Sequence, residues 1–423
     1  MTIAVLMLIA LLGAPLFAVI AAIAMLGFHD AEIDLAVMAV EVYRLAETPM
    51  LLAIPLFTFA GVVLGESGAP QRLVALSQAV FGTLPGGLAI VAIVMCAFFT
   101  AFTGASGVTL MALGTLLLTA LHKAGYHERF SLGLLTSCGS LGLLFAPSLP
   151  LILYGIVAQQ LPLTDPVGID DLFLAGIVPG MLMIVVLAAY ALWQSRPVLS
   201  SVPGDKARLW PSIKAARWEL PLPWIVLGGI YSGFFAVSEA AAVTAIYVLL
   251  VEVLIYRDVA WREIPRLIRE AMVLVGGILI ILAVSLALTN YLIDSEVPGR
   301  LFQAIRQVVD SKWTFLILLN LFLLALGMML DIFSAIVIMI PIILPVAVQY
   351  GIHPVHLGMI FLANMQIGYF TPPVGMNLFI ASYRFNTPVI TLYHATLPFF
   401  LLLLGVVLLI TYFPALSLFL IEQ

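Results

Sequence analysis

The stretch "IGYFTPPVGMNLFI", Ile367 to Ile380, interrupts an apolar run that is otherwise long enough to cross a membrane. Thr371, Pro372, Pro373 and Gly375 are helix breakers or weak helix formers, and Asn377 adds a bare amide. The surroundings are set by composition. Hydrophobic residues make up 63% of the 423 and charged residues 9%, against about 25% charged in a soluble domain. There is too little polar surface for a water-soluble globule, so the class is an all-α polytopic membrane protein. Apolar runs well beyond about ten residues, without alternation, exclude a β-barrel. The net charge of −5 gives no sign of nucleic-acid binding. Cys96 and Cys138 lie in apolar segments and read as small core hydrophobes. Met1–Phe28 lacks the basic lead of a cleaved signal and reads as a first membrane helix.

Two apolar pairs of arms read as re-entrant hairpins. One, residues 86–122, is joined by "GASG" at Gly104–Gly107; the other, 315–348, is joined around Asp331. Residues 130–158 and 356–384 read as broken helices. Ala31–Ala46, Gln71–Leu84, Ile264–Glu270 and Gly299–Val309 mix charged and apolar residues, as helices lying in the interface do. Loops Ser195–Pro221 and Arg257–Arg269 are rich in Arg and Lys, whereas Gln159–Asp171 and His29–Thr48 are acidic. The basic loops are expected in the cytoplasm and the acidic ones outside.

The chain repeats itself. "GYHERFSLGLLTSCGSLGLLFAPS" answers "GIHPVHLGMIFLANMQIGYFTPPV", pairing Gly142 with Gly368 and Pro147 with Pro373, and "SGAPQRL" answers "SEVPGRL". An odd number of expected crossings separates the copies, so they are expected to face opposite ways. The expected organisation is a first inverted repeat over 1–194, a cytoplasmic basic linker over 195–221 and a second repeat over 222–423. Inverted repeats whose matched segments are broken in mid-membrane mark a secondary transporter, with the two hairpins entering from opposite sides.

Lipid offers no hydrogen bonds, so a broken helix survives only where protein, water or a ligand takes up its loose groups. Prolines 372 and 373 remove two donors and free carbonyls one turn earlier. Those carbonyls and the Thr371 hydroxyl suit a hard cation such as Na⁺, and half-helix N-termini opposite them suit an anionic substrate. The matched break "APSLP", Ala146–Pro150, offers Pro147 and the Ser148 hydroxyl. The tips Gly104–Gly107 and Gly327–Asp331 are the partner surfaces, with glycines permitting close approach. Asp331 either contacts a cation or caps the helix after it. Glu239 reads as a helix cap, and "HPVH", His353–His356, as a loop turn rather than a metal pair. No mid-membrane nucleophile and base are paired, which argues against an enzyme.

With these residues in view, the chain resembles the large membrane subunit of TRAP (tripartite ATP-independent periplasmic) transporters, the DctM-type permease of the ion-transporter superfamily. The resemblance runs over nearly the whole length. It is carried by "IPLFTFAGVVLGESG", "GYHERFSLGLLTSCGSLGLLFAPSLPLILYG", "LFLAGIVPG", "SGFFAVSEAAAVTAIY" and the long segment from "LGMMLDIFSAIVIMIPIILP" to "TPPVGMNLF". It implies Na⁺-coupled uptake of a small organic anion across the bacterial inner membrane by an elevator motion, with no organic cofactor. It also implies two separate partners, a soluble periplasmic substrate-binding protein and a small four-helix membrane subunit. Cation roles fall on Gly104, Ser106, Pro147, Gly327, Thr371, Pro373 and Gly375, mostly through backbone carbonyls. Substrate roles fall on Ser106, Gly107, Ser148, Asp331 and Asn377. Two departures stand out: "GASG" lacks the second serine and the acid usual after the family's first tip, and "APS" has one proline where two are usual. A stand-alone Na⁺- or H⁺-coupled anion carrier of the same superfamily is the alternative.

Overall fold

Helices and connecting turns account for every described residue of the computed structural model, which describes residues 13–81, 86–163, 166–194 and 209–421. Residues 3–12 of the expected first span and 195–208 of the basic linker lie outside the described residues. In chain order the helices are α1 (Leu16–Asp30), α2 (Ala36–Ala46), α3 (Ala53–Glu66), α4 (Ala69–Phe81), α5 (Gly87–Thr103), α6 (Ser106–Lys123), α7 (Glu128–Cys138), α8 (Leu149–Gln159), α9 (Ile169–Gln194) and α10 (Leu209–Ala215). There follow α11 (Pro221–Tyr231), α12 (Val237–Leu249), α13 (Ile264–Asp294), α14 (Val297–Arg306), α15 (Lys312–Met329), α16 (Ile332–Gln349), α17 (Pro354–Gly368), α18 (Met376–Phe385), α19 (Val389–Tyr412) and α20 (Ala415–Leu418). Among the described residues, 8 helices are long and apolar enough to cross a membrane, or up to 9 if the bent pair around α7 and α8 is one span. The fold is that of a polytopic all-helical membrane protein.

Two stretches differ from the sequence reading. Ile264–Glu270, expected as a separate interfacial helix, is the first part of α13, which runs 31 residues without a break. Pro265 sits in its first turn, where a missing N–H costs nothing, and no further proline follows within the helix. The crossing expected over Leu222–Phe235 is the 11-residue α11, ended by a turn in which Gly233 takes φ 71. Its length is about 16 Å, well short of a hydrocarbon core of about 30 Å.

Element boundaries coincide between the halves. Moved along by the separation of Ser140 and Gln366, 226 residues, both ends of α6 fall on both ends of α16, and the end of α5 falls on that of α15. Both break points carry a cis X–Pro bond, Ala146–Pro147 and Pro372–Pro373. α1, α3, α12 and α13 pack on one another as one group. Glu239 caps α12 as expected, accepting from the Ala236 N–H at 2.9 Å.

Four charged side chains, one of them within a candidate span, gather at one place. Arg72 of α4 donates to Glu252 Oε2 at 2.8 Å and pairs with Glu219 and Asp258, while its guanidinium stacks 3.8 Å above the Tyr256 ring. Asp258 also accepts from the Gly68 N–H at 3.0 Å. Burial works against the charge, but the Asp258 and Glu219 carboxylates hold the Arg72 pKa above its ordinary value. Arg300, which stands in α14 as Arg72 does in α4, is exposed. Removing one member of a buried charge set leaves the others uncompensated, at about 3–5 kcal/mol. Arg72→Met is therefore expected to destabilise the purified protein by about that amount, and Arg300→Gln to stay within about 0.5 kcal/mol. Unfolding in detergent, followed side by side for the two variants, checks this. Equal losses would contradict it.

Candidate transport site

Each hairpin tip is pressed onto a break. α5 ends at Gly104, which takes φ 67 and donates its N–H to the Thr100 carbonyl at 2.8 Å. A Cβ at Gly104 would lie 2.5 Å from the Leu149 side chain, so only glycine lets this tip touch the start of α8. Thr100 Oγ1 donates to the Gly139 carbonyl at 2.7 Å and lies 2.8 Å from Thr109 Oγ1, tying both arms of the hairpin to the first break. At the second tip, the Gly375 N–H donates to the Met328 carbonyl at 3.0 Å, and the Ile332 N–H donates to the Tyr369 hydroxyl at 2.7 Å. Gly327 and Gly368 meet so closely that a Cβ on Gly368 would lie 2.7 Å from Gly327 Cα.

The breaks themselves differ in detail. After α7 a short 3₁₀ turn, Leu141–Leu144, leads to Pro147 and Ser148, and the chain bends by 42° into α8. The Ser148 side chain is fully buried and its hydroxyl donates to the Leu143 carbonyl at 2.7 Å. No N–H reaches the Ala146 or Pro147 carbonyl among the described residues. In the second break the Thr371 hydroxyl donates to the Ile367 carbonyl at 2.7 Å. The Pro373 carbonyl accepts from the Tyr393 hydroxyl at 2.5 Å. Gly375 takes φ 47, and a Cβ there would lie 2.8 Å from the Thr371 carbonyl oxygen and 3.0 Å from that of Tyr369.

The two breaks also hold each other. Ser140 Oγ donates to the Gln366 carbonyl at 3.0 Å, and Tyr154 OH to the Pro354 carbonyl at 2.7 Å, so the two segments run antiparallel. Asn377 Nδ2 reaches the Thr136 carbonyl at 3.4 Å, and a Cβ at Gly107 would lie 2.7 Å from Ile380 Cδ1. α6 packs on α18 and α16 packs on α8, so the second arm of each hairpin rests on the half-helix of the other half.

Most expected site residues are thus gathered in one region. Asp331 is spent as a cap: its carboxylate accepts from the Ser334 N–H at 3.0 Å. His353 caps α17 through Nδ1, which accepts from the Val355 N–H at 3.2 Å, and His356 Nδ1 lies 3.1 Å from Ser417 Oγ. The Gln366 and Asn377 side chains, one on each side of the second break, are fully buried with amide oxygens that have no partner. Buried orphan acceptors call for a donor or a cation. Free carbonyls, hydroxyls and these amide oxygens form a neutral, hard oxygen set that fits Na⁺ and offers a transition metal nothing soft. The N-termini of α6 and α8 carry no side-chain cap, which leaves their positive ends available to an anion, whereas at α18 the Asn377 N–H already donates to the Tyr369 carbonyl at 2.9 Å. Thr100, Ser140, Gln366 and Tyr369 were not singled out from the sequence. The only signal there is a polar atom inside an apolar run.

Broken helices clasped by glycine-tipped hairpins, in an all-helical membrane fold, define a polytopic transport protein. The chain belongs to the tripartite ATP-independent periplasmic transporter family, DctM component, whose model matches residues 1–416. It is a transporter permease and not an enzyme. It is 34% identical over 383 residues to the C4-dicarboxylate TRAP transporter large permease protein DctM of Pseudomonas aeruginosa, covering 90% of this chain and 88% of that one. It is 36% identical to the isethionate TRAP transporter permease protein DctMQ of Oleidesulfovibrio alaskensis, covering 87% of this chain and 58% of that longer one. The sialic acid TRAP transporter large permease protein SiaM of Vibrio cholerae is 30% identical, with 88% and 86% covered. Among solved structures, the YdaH transporter of Alcanivorax borkumensis superposes with a TM-score of 0.64 over 89% of this chain and 87% of that one, at 15% identity, a likeness of fold.

Close backbone approach at Gly368 has a measurable consequence. Gly368→Ala is expected to cost about 1–3 kcal/mol by overpacking. Gly277→Ala, where nothing lies within 4 Å, is expected to be neutral or slightly stabilising. Thermal unfolding of both variants checks the contrast.

Proposed function

We propose that this chain is the permease subunit that carries a small organic anion inward with Na⁺, the anion being delivered by a periplasmic binding protein. The observation that carries the reading is the pair of breaks, each clasped by a hairpin tip and each baring main-chain oxygens. Residues 1–194 and 222–423 are read as oppositely oriented copies of one module joined by a cytoplasmic linker, 195–221. What supports this is the coincidence of element ends and the antiparallel Ser140–Gln366 and Tyr154–Pro354 contacts.

On this reading, Na⁺ is held by carbonyls near Gly104 and Pro147 in one half and near Gly327, Thr371 and Gly375 in the other. The hydroxyls of Ser106 and Thr371 assist. Pro373 contributes less than expected, because Tyr393 already occupies its carbonyl. The anion lies against the uncapped N-termini of α6 and α8 and the Asn377 amide, with Ser106, Gly107 and Ser148 beside it. Asp331, as a capping carboxylate, repels an anion and favours a cation. Hairpins and broken helices interlock, so they would travel as one body past the group of α1, α3, α12 and α13. A small four-helix membrane subunit would brace that group. The substrates named for the relatives, C4-dicarboxylate, isethionate and sialic acid, are all acids.

Co-reconstitution in liposomes with the small subunit and the binding protein tests the reading. Uptake is expected to need both an inward Na⁺ gradient and the binding protein. Uptake without the gradient would remove Na⁺ coupling, and uptake by the chain alone would favour a stand-alone carrier. Thr371→Ala is expected to raise the Na⁺ concentration for half-maximal uptake about tenfold, equivalent to about 1.4 kcal/mol. An unchanged Na⁺ dependence in a normally folded variant would take Thr371 out of the cation set.

A further inference from the structure

We propose that the second hairpin binds one acyl chain of an anionic phospholipid, seated between α14 and the two arms α15 and α16. An apolar cavity of about 530 Å³ opens there, lined by Leu301 and Ile305 of α14, Leu318 and Phe322 of α15, and Met339 and Ile343 of α16. No residue of either tip or either break lines it, so it is separate from the transport site.

The first half supplies an internal control. There α4 packs directly on α5, and α5 on α6, with Leu73, Ile93, Leu113 and Leu117 buried. Ile93, Leu113 and Leu117 stand where Leu319, Met339 and Ile343 stand in the second half, where Leu319 and Ile343 are also buried but Met339, with Leu301 in the place of Leu73, is only half-buried. In the second half α14 leans on α16 rather than on α15, and the wedge between them stays open. A module that closes on itself once and stands open once leaves room for something else in the open copy. Unfilled, the lining would forfeit the dispersion contacts that its partner copy makes.

Size and charge select the occupant. From Lys312, at the start of α15, to Phe322 is roughly ten residues, or about 15 Å of helix. That is half of a hydrocarbon core of about 30 Å, the depth of one leaflet. A single flexible chain fits the cavity. At the mouth, the Arg306 guanidinium lies 5.6 Å from the Phe302 ring. Phe302 meets Tyr350 edge-on, and Tyr350 stacks at 4.4 Å on Phe315, which lines the cavity. Lys312 Nζ donates to the Gly351 carbonyl at 2.7 Å on the same rim. Asp310 stands between the two cations in sequence, which leaves one positive charge in excess. An acidic headgroup at this mouth, with its tail in the groove, satisfies both ends.

Native mass spectrometry of the purified chain, incubated with phosphatidylglycerol or phosphatidylcholine of the same acyl chains, tests the site. The unmodified protein is expected to retain one phosphatidylglycerol in preference to phosphatidylcholine. Ala304→Trp, which fills the groove, is expected to lose it. Arg306→Gln, which leaves the groove open, is expected to cut the preference about fivefold, one basic residue's share of attraction to an acidic lipid. Unchanged retention in Ala304→Trp, or no headgroup preference in the unmodified protein, would overturn the proposal. Should Ala304→Trp fail to fold, an unchanged preference in Arg306→Gln would overturn it alone. Release of the lipid on adding the small membrane subunit would assign the groove to that protein instead.

Discussion

Main-chain hydrogen bonding inside hydrocarbon is the constraint on which the rest of this structure depends. Each unpaired N–H or C=O there costs several kcal/mol on the usual transfer estimates. The chain nevertheless interrupts two helices and turns back at two tips. Its solution is to set each interruption against another. The Gly375 N–H finds the Met328 carbonyl, the Ile332 N–H finds the Tyr369 hydroxyl, and the Gly139 carbonyl takes the Thr100 hydroxyl. Several donors are paired in this way. Among the groups left over are oxygens, the carbonyls of Ala146 and Pro147 and the amides of Gln366 and Asn377. Neutral oxygens of this kind are what a small hard cation stabilises.

Close contact between broken segments requires surfaces without side chains. Gly327 against Gly368 and Gly104 against Leu149 are approaches that a Cβ would prevent. The arms are then exchanged between halves, α6 on α18 and α16 on α8, so neither half can shift its hairpin without carrying the other half's helix. With the transport function proposed, a single moving body would rest on this packing rather than on any single bond. Its counterpart is the cluster around Arg72, where one half-buried cation joins α4 to the segments that carry Glu219, Glu252 and Asp258. The matching Arg300 is exposed, so α4 and α14 are fastened differently although their sequences match.

The breaks and tips were legible in the sequence because proline and glycine act locally. Proline alone was not a sufficient signal: Pro179, Pro341, Pro345 and Pro398 lie inside continuous helices. What distinguishes the breaks is proline together with a neighbour that opens the next turn, Gly375 after Pro373 or Ser148 after Pro147. The length of α13 and the shortness of α11 were misread because hydropathy does not mark where a helix begins. Long-range partners were invisible for a different reason. Arg72 meets Glu219, Glu252 and Asp258 across 147, 180 and 186 residues, and no local rule connects them. Tyr369 reads as one more aromatic residue until the second tip is placed against it. Asp331 was readable as either ligand or cap, and only the Ser334 contact decides for the cap.

The two tips differ electrostatically because of that contact. Asp331 neutralises the positive N-terminal end of α16, whereas Ala105, at the same point before α6, has no side chain to offer. The two tips therefore carry different fields: the first presents a bare helix N-terminus, the second a helix N-terminus covered by a carboxylate. Partial charges of about half a unit act within the first turn of a helix, where anions gain and cations lose. With the transport function proposed, an anion near α6 gains from the bare N-terminus, and a cation near Gly327 and Thr371 gains from the Asp331 carboxylate. A carboxylate placed at position 105, where Asp331 has its counterpart, would set like charge beside the anion and remove the difference between the two tips.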